Sequence, residues 1–378
     1  MRFLFACGAS AGHINPALAV AGRLRELLPE SEFLFAGTSD GIEMELVPRE
    51  GYEIRTVDIT SIHRSFAPKD IVHNLKTVRN ISLSRAQARK MIREFRPDAV
   101  IGTGGYVCYP VLKTAAKMGI PTLIHESNAV PGLTSRALEN SVDVIMVGFE
   151  GCVKAYKRQE KVIVTGTPVR GDFAKYSRER AREELGIEES EKLLVSFWGS
   201  LGASNMNAVT EDLIAENEKN PAFRHIHASG SGEEYARRMR ENALKKAGKE
   251  GFSQTDLRAY IYDMPRVMAA ADVIMCRAGA STLAELTATG HAAVLVPSPY
   301  VTNNHQEKNA VLMRDAGGAV MVREAEATGK GLFETLKNLF SDEKRLSDMC
   351  AAMKKAGSAN AADTIAGEVL RLAQDKKN

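Results

Sequence analysis

The chain has 378 residues, 44% of them hydrophobic and 26% charged, and a net charge of +3. That length suits two domains rather than one. So even a charge balance excludes a whole-molecule field for nucleic acid, and any basic surface must be local. The five cysteines (Cys7, Cys108, Cys152, Cys276, Cys350) form no CxxC pair. They read as buried thiols of a reducing cytoplasm, not as a disulfide frame or a metal site. No run approaches the ~18 apolar residues of a spanning helix, and Phe3–Cys7 is too short for the apolar core of a signal peptide. A cytoplasmic protein is expected, one able to touch a membrane surface.

In chain order, Phe3–Cys7 is a continuous apolar run, as in a buried parallel strand. A Gly turn follows, then Pro16–Leu28 with helical periodicity, then the strand "EFLFAG". The segment 61–95 comes next. Its Ile71, Leu75, Val78 and Ile81 share a helical face, with Lys69, Lys76, Arg79, Arg85, Arg89 and Lys90 interspersed. Such a stripe usually packs on a core, and the basic bias also permits contact with anionic lipid. "DAVIGTGGYVCYPVLKTAAKMGIPTLIHES" (98–127) repeats the strand, Gly turn, helix, strand grammar, and 143–149 adds a strand.

The grammar recurs in the second half, at 192–213 and 272–299. In each half the second Gly turn follows the first by roughly 80–95 residues, as expected if each half is one domain. This predicts an α/β protein of two doubly wound Rossmann-like domains. The boundaries fall at 1–162 and 163–358, with a last helix near 359–375 packing back on the first domain. Ligands bind at the carboxyl ends of such strands. Two sheets facing a cleft would gather the turns Gly8–His13, Gly102–Tyr106, Gly199–Gly202 and Arg277–Glu285 around it, which suits a two-substrate enzyme.

Several residues carry candidate chemistry. Gly8-Ala9-Ser10-Ala11-Gly12 fits the G-x-S-x-G elbow of hydrolases. Its place on the first strand, with His125 before Asp143, opposes that reading. Gly199-Ser200-Leu201-Gly202 meets a helix N-terminus, where free N–H groups and the helix dipole favour an anion; an N-capping Ser with packing glycines is the plain alternative. Glu285 could accept sugar hydroxyls or cap its own helix. "HESNAVPG" follows a strand end but lacks the second His of a zinc motif. His227 reads as a satisfied core histidine.

The segments "GASAGHINPALAVAGRL", "IGTGGYVCYPVLKTAAKMGIPTLIHESNAVPGL", "VTGTPVR", "GSLGA", "CRAGASTLAEL" and "NNHQEKNA" occur in an order and spacing that resemble the MurG family of glycosyltransferases, through nearly the whole chain. The resemblance implies the GT-B fold and inverting transfer of N-acetylglucosamine from UDP-N-acetylglucosamine to undecaprenyl-linked lipid I, giving lipid II and UDP. It implies no metal in the site, no cofactor and no nucleic-acid partner. It also implies a peripheral seat on the inner leaflet of the cytoplasmic membrane.

By motif, His13 and Glu126 take the catalytic places. Donor contacts fall on Asn128, Arg170, Ser200, Ile261, Ala280, Ser281, Thr282, Leu283, Ala284, Glu285 and Gln306, with Ser10, Ala11 and Gly12 reaching the donor from across the cleft. Acceptor contacts fall on Gly104, Gly105 and Tyr106, near the lipid diphosphate. The chain departs from the family's GGTGGH at Ala9, Ser10 and Ala11, and from its GGSQGA at Trp198 and Leu201. Two alternatives stay open: another GT-B enzyme of UDP-sugars (a glycolipid glycosyltransferase or a UDP-N-acetylglucosamine 2-epimerase), and a non-catalytic UDP-sugar-binding protein.

Overall fold

The computed structural model describes residues 1–59, 68–199, 202–230, 232–301, 304–357 and 360–375, with the backbone alone at 68–81, 172 and 174. The chain parts into two compact units. One is Met1–Gly171 together with the C-terminal residues from Ala359; the other is Asp172–Ser358.

Unit 1 runs β1 (Arg2–Cys7), α1 (Ala11–Leu27), β2 (Glu32–Gly37), α2 (Glu43–Arg49), β3 (Glu53–Thr56), α3 (Pro68–Phe95), β4 (Ala99–Gly104), α4 (Cys108–Lys117), β5 (Thr122–Glu126), α5 (Leu133–Leu138), β6 (Val144–Val147) and β7 (Val162–Val164). All seven strands are parallel, in the order β3-β2-β1-β4-β5-β6-β7. Strand order reverses between β1 and β4, which opens a crevice at their carboxyl ends. The first and second Gly turns follow these two strands. β7, which the sequence reading divided between domains, pairs with β6 and completes this sheet.

The inner strands are near-continuous apolar runs, as expected where a sheet is covered on both faces, while the edge strand β3 (Glu-Ile-Arg-Thr) is not. Phe3 and Phe5 face one layer and Leu4 and Ala6 the other. In α3 the apolar stripe and the basic residues Lys69, Lys76 and Arg79 lie where side chains are not described. Of the described part, Arg85 stacks over Tyr109 of α4, 5.5 Å from the ring centre, and donates to its hydroxyl at 3.2 Å.

Unit 2 runs α6 (Arg178–Leu185), β8 (Leu193–Phe197), α7 (Ser204–Lys219), β9 (Arg224–Ala228), α8 (Glu233–Ala247), β10 (Thr255–Arg258), α9 (Met264–Ala270), β11 (Val273–Cys276), α10 (Ala280–Thr289), β12 (Ala292–Leu295), α11 (His305–Asp315), β13 (Ala319–Met321), α12 (Gly329–Ser341) and α13 (Glu343–Lys355). Its six parallel strands lie in the order β10-β9-β8-β11-β12-β13, so the reversal falls between β8 and β11. The third and fourth Gly turns follow those strands. The last helix, α14 (Ala361–Asp375), returns to unit 1. Its Ile365, Ala366, Val369 and Ala373 join the core formed by Ile14, Ala17 and Ala21 of α1, and Arg23 pairs with Asp363 at 2.5 Å. Among the described residues, no helix is long and apolar enough to cross a membrane.

Candidate active site

In unit 1 the crevice is built from backbone. Ser10 is the N-cap of α1, exposed, with its side chain making no capping bond. Ala11, Gly12 and His13 form the helix's first turn. The His13 N–H is taken by the Ser10 carbonyl at 3.0 Å, so the N–H groups of Ala11 and Gly12 are those an anion or a sugar hydroxyl can use. His13 is held on several sides. Its Nδ1 lies 2.9 Å from the Gly8 carbonyl oxygen and 3.3 Å from Ser10 Oγ. A carbonyl can only accept, so in this contact the ring donates through Nδ1–H, and in a neutral ring Nε2 is then the nitrogen without a proton. The Thr103 hydroxyl donates to the His13 carbonyl at 2.6 Å.

Gly104 and Gly105 make this closeness possible. Both have positive φ (122° and 86°), where a side chain is strained. A Cβ on Gly104 would run into the His13 ring, and one on Gly105 would lie 2.6 Å from the Gly8 oxygen. Tyr106 follows, half-buried, opening the turn into α4. So the structure gathers Ser10, His13, Gly104 and Gly105 at one switch point.

Glu126 is held by the residues that follow it. It ends β5, is 6% exposed, and accepts four bonds from its own loop. Oε1 takes the Asn128 N–H and Nδ2–H, both at 3.0 Å, and Oε2 takes the Gly132 N–H at 2.8 Å and the Ser135 hydroxyl at 2.7 Å. A carboxylate bonded this way orders the loop and presents Asn128. Arg170 belongs to unit 1 and pairs with Glu50 at 2.7 Å.

In unit 2 two helix N-termini flank the switch point. The N-cap of α7 is Ala203 and that of α10 is Gly279, and neither supplies a side-chain cap. The first intrahelical bond of α10 comes from the Leu283 N–H to the Gly279 carbonyl at 2.9 Å. The N–H groups of Ala280, Ser281 and Thr282 therefore have no acceptor within the helix, an arrangement suited to a diphosphate.

Ala280 and Leu283 are buried, while Ser281, Thr282, Ala284 and Glu285 are partly exposed on the same helix. Ile261 is 3% exposed, so its main chain rather than its side chain is the group on offer. Gln306 accepts the Ser298 N–H at 2.9 Å, which leaves its amide NH2 as the free end. Ser200 and Leu201 lie outside the described residues.

Sequence reasoning missed the groups beneath these turns. Asn309 donates to the Ala278 carbonyl at 3.1 Å and braces the turn before α10. Arg277, 9% exposed, pairs with Glu324 at 2.7 Å and lies over the Trp198 ring. Asn207 donates to the Ser229 carbonyl at 2.8 Å. His227 is the satisfied core histidine expected from the sequence, buried between Ser196 Oγ, 2.7 Å away, and Asn207 Oδ1, 3.3 Å away; the unforeseen neighbour is His225, which also meets Ser196 Oγ at 2.7 Å. Burial pushes both imidazoles down, His227 to about 3. The one signal for Asn309 was its place in "NNHQEKNA"; polar residues inside a helix pattern carry no mark of what they brace.

Two doubly wound units, each with Gly turns and open helix N-termini at its switch point, define a glycosyltransferase of the GT-B class. The family model of the glycosyltransferase family 28 N-terminal domain matches residues 3–147, and that of the family 28 C-terminal domain matches 193–365. Curated relatives from Acetivibrio thermocellus (41% identical, 97% of this chain and 96% of the relative) and Thermoanaerobacter sp. strain X514 (40%, 97% and 98%) are each named UDP-N-acetylglucosamine–N-acetylmuramyl-(pentapeptide) pyrophosphoryl-undecaprenol N-acetylglucosamine transferase.

Among solved structures, Acinetobacter baumannii MurG superposes with a TM-score of 0.73 at 25% identity, covering 98% of this chain and 99% of that one. A UDP-GlcNAc 2-epimerase from Neisseria meningitidis superposes at 0.64 over 98% of this chain and 100% of that one; at 14% identity, that likeness is one of fold alone. The chain belongs to glycosyltransferase family 28 and, within it, to the MurG family of N-acetylglucosaminyltransferases.

Proposed function

We propose that this chain transfers N-acetylglucosamine from UDP-N-acetylglucosamine to lipid I, forming lipid II and UDP for peptidoglycan synthesis, and so serves cell-wall growth, shape and division. The observation that carries the chemical reading is the His13–Gly8 contact, which leaves Nε2 as a base at the switch point of unit 1. In this reading unit 1 takes the acceptor and unit 2 the donor. The muramyl 4-hydroxyl oxygen attacks C1 of the sugar as the C1–O bond to the diphosphate breaks with inversion. UDP leaves with the bonding electrons, and the hydroxyl proton passes to His13 Nε2.

The leaving diphosphate is met by main-chain N–H groups at the start of α10 and at Ser200 before α7, with Arg170 adding charge. Developing charge is stabilised most by donors already fixed in place, and the main-chain N–H groups at the start of α10 are of that kind. Glu285 and Gln306 read sugar hydroxyls, Asn128 presents its amide to the donor, and the main chain at Ile261 meets the uracil edge. Ser10, Ala11 and Gly12 close on the donor, while Gly104, Gly105 and Tyr106 meet the acceptor's diphosphate. Glu126 serves by holding Asn128 in place. The basic residues of α3 suit a seat on anionic lipid at the cytoplasmic face of the membrane.

The test is UDP release by the purified chain given UDP-N-acetylglucosamine and a lipid I analogue. Release that requires the analogue supports the reading. Conversion of the donor without any acceptor would instead favour an epimerase, and binding of donor with no turnover would favour a binding protein.

A further inference from the structure

Glu43 opens α2 with a carboxylate that has no exposure to solvent. A carboxylate in such a place is costly unless its oxygens are taken up by donors. Oε1 accepts the Thr38 N–H at 2.9 Å and the Thr38 hydroxyl at 2.8 Å, and Oε2 accepts the Ala9 N–H at 3.2 Å. Glycines wall it in. A Cβ on Gly8 would lie 2.6 Å from Oε1, one on Gly37 would lie 2.6 Å from Cγ, and one on Gly41 would collide with the carboxylate itself. The group is therefore built into the footing of the first Gly turn, beside the carboxyl ends of β1 and β2.

The Ala9 N–H is one end of the planar peptide group that joins Gly8 to Ala9. The other end is the Gly8 carbonyl, whose oxygen lies 2.9 Å from His13 Nδ1. In a trans peptide these two ends point in opposite directions. One rigid plate thus has the buried carboxylate on one side and the imidazole on the other. Chained hydrogen bonds polarise one another, so a charged acceptor on the N–H makes the carbonyl a better acceptor for Nδ1–H. The plate also sits under strain, because Ala9 has φ +71°, a left-handed conformation that alanine adopts reluctantly.

We infer that Glu43 is a positioning residue for the transfer reaction, acting on His13 through the peptide group between Gly8 and Ala9. It holds that plate against the strain at Ala9 and thereby fixes the ring orientation and tautomer of His13. The inference rests on the reading of His13 as the proton acceptor.

Glu43→Gln isolates the effect. A glutamine can keep both Thr38 bonds with its carbonyl oxygen, and its NH2 then faces the Ala9 N–H, donor against donor. In the UDP-release assay kcat is expected to fall about tenfold while the donor KM stays within about twofold, as for a misplaced catalytic group. Adding Ala9→Gly should recover most of the loss, because glycine takes that φ without help. Because Ala9→Gly also relieves strain in the fold, melting temperatures are read beside kcat: a general weakening lowers the melting temperature and the fraction of active protein but leaves kcat per folded site unchanged.

A folded Glu43→Gln protein with wild-type kcat overturns the inference, as does a double variant as slow as Glu43→Gln alone. If Glu43→Gln does not fold, Gly8→Ala displaces the same carboxylate from the opposite side; the same loss of kcat supports the inference and an unchanged kcat overturns it. His13→Ala in the same assay keeps the two readings apart. Activity that survives in His13→Ala removes the proton-acceptor reading. A dead His13→Ala beside a fully active Glu43→Gln removes only the role of Glu43.

Discussion

The Thr103 hydroxyl donates to the main-chain carbonyl of His13 at 2.6 Å, so the strand before the second Gly turn holds the first turn of α1. The ring is fixed from a second direction by the Gly8 carbonyl. His13 is thus fixed at both backbone and side chain, as a group that must meet a hydroxyl within hydrogen-bond reach has to be.

His13→Ala is expected to lower kcat by about 10²–10⁴-fold, the usual worth of a general base. UDP affinity, measured by calorimetry, should change little. Ser10→Ala should cost less than about fivefold, because Ser10 Oγ only assists a proton already placed on Gly8. A Ser10→Ala protein as slow as His13→Ala would revive the serine-elbow reading of this turn.

Ala9 gives a prediction about stability. Its φ of +71° is open to glycine and nearly closed to β-branched residues. Melting temperatures should fall in the order Ala9→Gly, wild type, Ala9→Val, with the valine variant about 1–2 kcal/mol less stable than wild type. A valine variant that melts with the wild type would mean that the turn relaxes freely.

Glu126→Gln should destabilise unit 1 by about 2 kcal/mol, because one of its two acceptor oxygens, which serves two of the four donors, becomes an NH2 group in a buried place. Denaturant unfolding measures this directly. Turnover should fall with it through the loosened Asn128 loop. Unchanged stability with lost turnover would return Glu126 to the role of proton acceptor.

The His225–Ser196–His227 cluster predicts acid sensitivity in unit 2. In an unfolded chain these imidazoles titrate near 6.5, about the ordinary value. In the folded protein, loss of hydration lowers His225 well below that and His227 to about 3. Between those values the unfolded chain binds protons that the folded unit refuses, so stability falls as pH drops. The contribution is whole above pH ~6.5 and is lost below it at about 1.4 kcal/mol per pH unit for each imidazole. Calorimetric unfolding at pH 7.5 and 5 reads the loss. An unchanged melting temperature would mean that the pair protonates without unfolding.

Much of this was legible in the sequence, for a definite reason. Short apolar runs ending in Gly turns appear at Cys7, Gly104, Phe197 and Cys276, and parallel strands buried on both faces cannot be written otherwise. His13 was pointed to by the resemblance of the 8–13 motif to the MurG family's, not by composition or spacing alone. Glu43 was not legible. "GTSDGIEMEL" reads as a polar surface turn, and nothing in one sequence tells a buried glutamate from a solvated one. The catalytic place expected for Glu126 came from the family resemblance; which way its oxygens turn depends on Gly132 and Ser135, which are six and nine residues further on.

The return of α14 to unit 1 sets the order in which the protein can be made. Once the first 171 residues have emerged from the ribosome, every strand of the first sheet is free, but the helix that covers Ile14, Ala17 and Ala21 is still to come. The N-terminal unit therefore waits, with that face uncovered, through the synthesis of the whole second unit. Nascent chains arrested between the two should be the ones that chaperones hold and proteases cut.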